Sequence, residues 1–336
     1  IIFGTLLVSM INLFVFSNSS EMTELEKVTA YGNIYLYSLI VPIISVSGIF
    51  LSYFNQQKRY KLLISNGLNP VKAANIIFNI PELTKPNLLI IIGSIFFVIF
   101  TLLVGTSKMA LSQEIVFVGS FMIILFLLFK LSNELDANAK KMLIGTAIII
   151  FVFRAMPGVG QGGSWFEIDV LGFDQEFLSL LGLIASFLTI LGIFVLRPLM
   201  EKSSMTRLIV ILSIAGSFFI LPSIAMFYGF HEFTSKLTNG LVDARFIAIF
   251  NTALESPLGQ VSMIPILAWI AQSAPNHLKA TFFAVLASFT NLALSASNLG
   301  TKYLNQLYVI TREVKNDLGI IKTPADYSEL GILLII

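Results

Sequence analysis

Long apolar runs separated by short polar stretches dominate the chain. They fall at residues 1–16, 31–54, 87–106, 114–132, from 142 onward, 178–200, 208–230, 244–271, 280–310 and from 330. One crossing of a bilayer uses about 20 apolar residues, so the pattern predicts about ten spans. The runs are too long and too continuously apolar for the alternating strands of a barrel, which leaves helices as the spanning elements. The predicted fold class is therefore an all-α polytopic membrane protein. The run at 1–16 and the run from 330 are expected to be incomplete spans of a longer chain.

Composition removes the soluble alternatives. Of 336 residues, 56% are hydrophobic and 12% charged, against roughly 25% charged in an ordinary soluble domain. Twenty-one Lys and Arg against 19 Asp and Glu leave a net charge of +2, so no basic field points to nucleic acid. The 30 Phe suit helices that face membrane lipid. The absence of Cys excludes thiol nucleophiles, iron–sulfur clusters and disulfides, and two His leave little material for a metal site. No cofactor or metal is expected.

Charge in the connections sets the orientation, because retained Lys and Arg mark the cytoplasmic side. One face carries Lys58, Arg59, Lys61, Lys72, Lys85, Lys130, Lys140, Lys141, Arg197, Lys202, Arg207 and Lys279 with only Glu82, Glu134, Asp136 and Glu201. That face is predicted to be cytoplasmic. The other holds eight basic residues against fourteen acids, Glu167, Asp169, Asp174 and Glu176 among them, and Arg154 and Glu255 belong to neither. Segment 55–86, with Pro70, Pro81 and Pro86, is predicted to be a cytoplasmic loop with one amphipathic turn or helix. The charged stretch 133–141 is the other candidate boundary and would join two helical bundles.

Two interruptions of apolar runs carry the candidate chemistry. Gly158, Gly160 and Gly163 match G-x-G-x-x-G, but a dinucleotide site needs a strand before it and a helix after it, and here the motif breaks a membrane span. Gly162-Gly163-Ser164-Trp165-Phe166 approaches a nucleophile elbow, yet the last glycine is Phe and no His lies nearby. Membrane physics explains the run better. Pro157 removes a helical hydrogen bond, and Gly158, Gly160, Gly162 and Gly163 leave the backbone free to unwind. Unwound backbone survives in a bilayer only inside protein or beside a water-filled cavity. Residues 142–156 span about 22 Å, short of a roughly 30 Å core, so 142 to about 166 is predicted to be one interrupted span; an outer loop from Pro157 is the alternative. Ser256-Pro257-Leu258-Gly259-Gln260 forms a second interruption, preceded by Asn251 and Glu255. Ala284, Ser288, Asn291 and Ser295 share one helix face, read as a packing stripe, with Asn291 and Asn298 also able to reach a solute. His231 and His277 are read as solvated loop residues.

Phe153-Arg154-Ala155-Met156-Pro157, Phe166-Glu167-Ile168-Asp169-Val170-Leu171-Gly172-Phe173 and Glu176-Phe177-Leu178-Ser179 resemble helices seven and eight of the folate-biopterin transporter family, within the major facilitator superfamily. Residues 256–300 are similar to its helices ten and eleven, through Gly259-Gln260, Met263-Ile264-Pro265, Ala274-Pro275, Lys279-Ala280-Thr281-Phe282-Phe283-Ala284 and Ser288-Phe289-Thr290-Asn291-Leu292. The chain departs from the family at Pro157-Gly158, where members commonly carry Pro-Ser. The resemblance implies two six-helix bundles around a central cavity. Residues 1–132 would be helices three to six, 133–141 the link, and 142–336 helices seven to twelve. It also makes the helices of Arg154 and Glu255 neighbours. Both residues lie about 16–18 Å deep by residue count, so an ion pair between them is expected, relieving insertion costs of roughly 2.5 to 3.5 kcal/mol for each charge.

The expected function is secondary active transport of a small organic, anionic or folate- or pterin-like solute by alternating access, with protons as candidate coupling ion and the plasma membrane as location. Arg154, Glu255, Gln260, Asn251, Asn291, Trp165 and Gln161 are the candidate solute-binding or coupling residues; Pro157, Gly158, Gly160, Gly162, Gly163, Pro257 and Gly259 are the helix interruptions. No P-loop supports direct use of ATP. An intramembrane enzyme would need clustered catalytic carboxylates or a metal set, and a non-transporting receptor or assembly protein would tolerate loss of Arg154 and Glu255.

Overall fold

The computed structural model describes residues 2–78, 88–107, 109–133, 135–258, 261, 264–265, 268, 279–316 and 320–336. The chain divides into two compact units, Ile1–Pro86 and Asn87–Ile336, and the expected link at 133–141 lies within the second.

The first unit contains α1 (Ile2–Val15), α2 (Glu24–Ser38), α3 (Ile40–Ser65) and α4 (Pro70–Phe78). Thr23 and Glu26 start α2 with a reciprocal capping box. Helices α2 and α3 run on as one helical stretch from Leu25 to Ser65, interrupted only near Leu39, and its apolar part is long enough to cross a bilayer. Helix α1 packs on α2 around Phe16, Ala30 and Ile34. Helix α3 continues to Ser65, well into the segment predicted as a loop, because Asn55 to Ile64 holds helix-forming Gln, Lys, Arg and Leu and no breaker before Gly67 at φ 85°. The short helix predicted in that segment is α4, where Asn69 Oδ1 accepts from Val71 N at 2.9 Å and Pro70 takes the first helical position.

The second unit contains α5 (Leu88–Gly105), α6 (Ser112–Ser132), α7 (Ala137–Arg154), α8 (Gln161–Asp169), α9 (Gln175–Lys202), α10 (Met205–Phe219), α11 (Leu221–Phe227), α12 (Phe230–Leu237), α13 (Ala244–Glu255), α14 (Lys279–Leu307) and α15 (Leu330–Ile335). A two-stranded antiparallel hairpin, β1 (Val314–Lys315) and β2 (Ile321–Thr323), lies between α14 and α15. Helix α14 is the centre of the unit. A third (33%) of its apolar window is buried, against 6% for Thr206–Phe227, and α6 and α7 pack on it through Leu131, Leu143, Ile150, Val285 and Leu286. A second cluster, Phe173, Phe177, Met226, Ala244 and Ala248, joins the start of α9 to α11 and α13. Most remaining apolar side chains on the long helices are exposed, as Phe194 and Val195 are at 71% and 74%; lipid would cover such surfaces.

Among the described residues five helical stretches are long and apolar enough to cross a bilayer: Leu25–Ser65, Ser112–Ser132, Gln175–Lys202, Thr206–Phe227 and Phe283–Leu307. Phe3–Val15, Ile91–Gly105 and Leu143–Arg154 are shorter apolar helices. Together they fall in eight of the ten predicted runs. The stripe Ala284, Ser288, Asn291 and Ser295 does not pack as expected. All four are exposed, and α14 instead buries Val285, Leu286, Phe289, Leu292 and Ala293. Larger apolar side chains bury more area, while Ser288 and Ser295 satisfy their hydroxyls on carbonyls of their own helix, at 2.8 and 3.4 Å.

Candidate functional site

The first interruption lies where the sequence places it. Helix α7 stops at Arg154, residues 155–160 are non-helical, and α8 begins at Gln161. Gly160 takes φ 76°, a left-handed conformation that favours glycine. One face of α14 supports this broken backbone. Ser297 Oγ donates to Met156 O at 2.6 Å, Gly158 N donates to Thr301 Oγ1 at 2.9 Å, and Asn305 Nδ2 donates to Val159 O at 3.4 Å. Ser297, Thr301 and Asn305 are four residues apart, so they form one ridge of α14. Gly300 lets the chain come close, since a Cβ there would lie 2.8 Å from Pro157 Cγ.

The second interruption is built the same way on a different helix. Helix α13 ends at Glu255 and passes into a 3-10 turn, Ser256–Leu258. Thr189 Oγ1 of α9 donates to Ser256 O at 2.9 Å. Three residues on, Gly192 of α9 faces Pro257 so closely that an added Cβ would run into the Pro257 backbone. Each break therefore sets a proline against a glycine of a long helix and bonds its backbone to a threonine hydroxyl of that helix.

The predicted residues cluster at these breaks only in part. Arg154 is half-buried at the C-terminal end of α7, where helix carbonyls favour a cation. Asn251 is half-buried, and its Oδ1 is buried without a hydrogen-bond partner. Trp165 is half-buried on α8, whereas Gln161 and Asn291 are exposed. Glu255 is exposed at the last position of α13, and among the described residues no ion pair joins it to Arg154. The expected bridge is thus not formed: matching depth along two helices does not fix the direction in which their side chains leave them. Pro157, Gly158 and Gly160 lie at the first break and Pro257 at the second, whereas Gly162 and Gly163, expected to interrupt the helix, lie inside α8, because a glycine permits unwinding without enforcing it. Gly259, Gln260, His277 and the Ala274-Pro275 turn lie outside the described residues. His231 is on α12, its Nδ1 3.0 Å from Met226 O.

Further polar contacts flank the breaks. Asp169, at the end of α8, receives Arg312 Nε at 2.9 Å, Arg312 Nη2 at 2.7 Å and the Tyr327 hydroxyl at 2.6 Å. The bonds from Arg312 hold its carboxyl below the usual carboxylate range, and Tyr327 is pushed up to about 12 by burial and then by its bond to Asp169. Asp174 caps α9 and pairs with Arg245 at 2.8 Å. Between α6 and α14, Glu114 Oε1 accepts from Lys302 Nζ at 2.6 Å and Tyr303 Oη at 2.9 Å, while Oε2 is buried without a hydrogen-bond partner. A cavity of about 410 Å³ between α5, α6 and α14 is lined mainly by apolar residues with Ser94 and Ser288, and it contains none of the predicted site residues.

The residues missed by sequence reasoning are the supports, Ser297, Thr301, Asn305, Thr189, Gly192 and Gly300. The four-residue spacing from Ser297 to Asn305 is visible in the chain, but nothing in the spacing says which break it meets.

These apolar helices, two of them ending in supported breaks, define an integral, all-α polytopic membrane protein. The chain belongs to the BT1 family, whose model matches residues 14–336. It is similar to the folate-biopterin transporter of Synechocystis sp., with 21% identity over 154 residues, which cover 46% of this chain and 30% of that relative. No solved structure matches it.

Proposed function

We propose that this protein is a secondary active transporter that moves a small organic anion across the membrane by alternating access, and not an enzyme. The observation that carries the proposal is the pair of supported helix breaks in α7–α8 and α13. Unwound backbone at membrane depth persists only inside protein or beside a water-filled cavity, and transporters place such segments at their binding sites. Membership in the BT1 family and the name of the Synechocystis relative favour a folate- or pterin-like or related metabolite as solute. In this reading the chain takes the major facilitator arrangement, with 133–141, which lies inside the second compact unit, as the link between two bundles.

In this mechanism Arg154 receives the anionic group of the solute, with Asn251, Gln260, Trp165, Gln161 and Asn291 as further contacts. Glu255, which among the described residues forms no ion pair with Arg154, takes up a proton when the cavity closes and desolvates it. The plasma membrane is the proposed location.

Comparing small molecules accumulated by cells with and without the protein tests the proposal, followed by uptake of the solute so found. Arg154→Gln is expected to reduce uptake at least about tenfold. Glu255→Gln is expected to abolish the pH dependence of uptake while leaving exchange of preloaded solute. Unaltered pH dependence in folded Glu255→Gln overturns proton coupling. Unchanged accumulation across all small molecules overturns transport and favours a receptor or assembly protein.

A further inference from the structure

The C-terminal end of α3 and the helix α4 carry a charged surface that the transport reading does not use. Lys58, Arg59 and Lys61 follow directly on the apolar run that ends at Phe54, so they emerge where a bilayer passes from hydrocarbon to headgroups. No Asp or Glu occurs between Lys27 and Glu82. Lys58, Arg59, Lys61 and Lys72 are all exposed and make no ion pair among the described residues. Helix α4 folds back on α3, with the Tyr60 and Phe78 rings 5.5 Å apart and Ala73 fully buried. That packing leaves Lys72 outside, next to Val71 at 68% and near Ile76 at 63% exposure. On α3, Phe54, Lys58, Lys61 and Leu62 recur at three- and four-residue spacing and share a face.

Cations interleaved with exposed aliphatic and aromatic side chains, at headgroup depth, fit a partner that is negative at one end and apolar at the other. We propose that α3 and α4 form a docking surface for anionic phospholipid, with Lys58, Arg59, Lys61 and Lys72 on the headgroup phosphates and Phe54, Leu62, Val71 and Ile76 beside the acyl chains. The proposal rests on the membrane reading of the chain and on the cytoplasmic placement of these cations, and it is independent of the solute. A cluster of four to eight Lys and Arg beside a membrane span is the usual basis for such recognition, and each cation near the surface strengthens binding about fivefold.

The test is native mass spectrometry of the whole purified protein, delipidated in detergent and titrated with phosphatidylglycerol or phosphatidylcholine. Phosphatidylglycerol is expected to be retained in preference. Combined Lys58→Gln, Arg59→Gln, Lys61→Gln and Lys72→Gln is expected to weaken that retention about tenfold or more, with phosphatidylcholine retention and unfolding temperature unchanged. The charge-retaining set Lys58→Arg, Lys61→Arg and Lys72→Arg is expected to bind like the wild type. Equal retention of the two lipids overturns the proposal. So does an equal loss when Lys130, Lys141, Lys202 and Arg207 are neutralised instead, which would mean charge without a site. Displacement of the lipid by millimolar inorganic phosphate would identify a free anion site and overturn it as well.

Discussion

Asp169 anchors the β1–β2 hairpin through three hydrogen bonds from two side chains 143 and 158 positions away. Its folded-state carboxyl lies below the usual value, so its contribution is present above an ordinary aspartate pKa of about 4 and is lost as pH falls through the lowered one. Tyr327 titrates the other way. Its contribution is complete below an ordinary tyrosine pKa of about 10 and is lost as pH rises through about 12. A phenolate titration should therefore show one tyrosine near 12 that disappears in Tyr327→Phe and moves toward about 10 in Asp169→Asn. The same Asp169→Asn substitution should speed amide exchange at Thr311 and Asp326, which pair across the hairpin, by about fivefold at neutral pH. An unshifted tyrosine in Asp169→Asn would show that burial alone raises it. None of this was legible beforehand. The sequence displays an acidic segment and a later Arg and Tyr, but pairing over such separation is a tertiary fact.

At the scale of elements, the breaks in α7–α8 and α13 were legible because Pro157 with its glycines and Ser256-Pro257 are local chemistry: they remove helical hydrogen bonds wherever the chain goes. What supports each break was not legible, since Thr301 and Thr189 meet their partners only after α14 and α9 have packed. The tightness of that packing is testable. Gly192→Ala puts a methyl group into the Pro257 backbone and should cost about 1–3 kcal/mol of stability, read as a lower unfolding temperature in detergent, while Ala at Gly216, inside α10 and facing open space, should be neutral or stabilise by up to about 1 kcal/mol. Thr301→Val keeps shape but removes the acceptor of the exposed Gly158 N–H, so a smaller loss of about 0.5–1.5 kcal/mol is expected there. Equal unfolding temperatures for Gly192→Ala and Gly216→Ala would mean the second break is not held against α9. Helix α14 teaches the converse lesson. Its small-residue stripe suggested one packing face, and the bulkier face through Phe289 and Leu292 is the one the fold buries.

At the scale of the molecule, the charge count divides the chain into two faces, and every ion pair among the described residues joins partners from one of them. Arg245 with Asp174, Arg312 with Asp169, Lys302 with Glu114 and Lys315 with Glu313 belong to the acidic face, and Arg197 with Glu201 to the basic one. A bilayer of roughly 30 Å would forbid pairs between opposite faces, so this sorting agrees with the membrane reading. The orientation has a direct check, helped by a chain with no native Cys. Single cysteines at Gln175 and Asn138 should react with an impermeant thiol reagent from opposite sides of intact cells, Gln175 from outside. Labelling of both from one side would reverse the topology.

The sequence alone determined the solvent, the type of element and the places where helices break. Hydrophobic run length, proline and glycine act within a few residues and need no partner. Tertiary structure decided which face of α14 is buried, which helices support the breaks, how α4 folds onto α3, and that Arg154 and Glu255 do not bridge. Those outcomes depend on the direction in which side chains leave packed helices, and that direction is set by close packing between segments distant in the chain, which a periodic pattern along one helix does not contain.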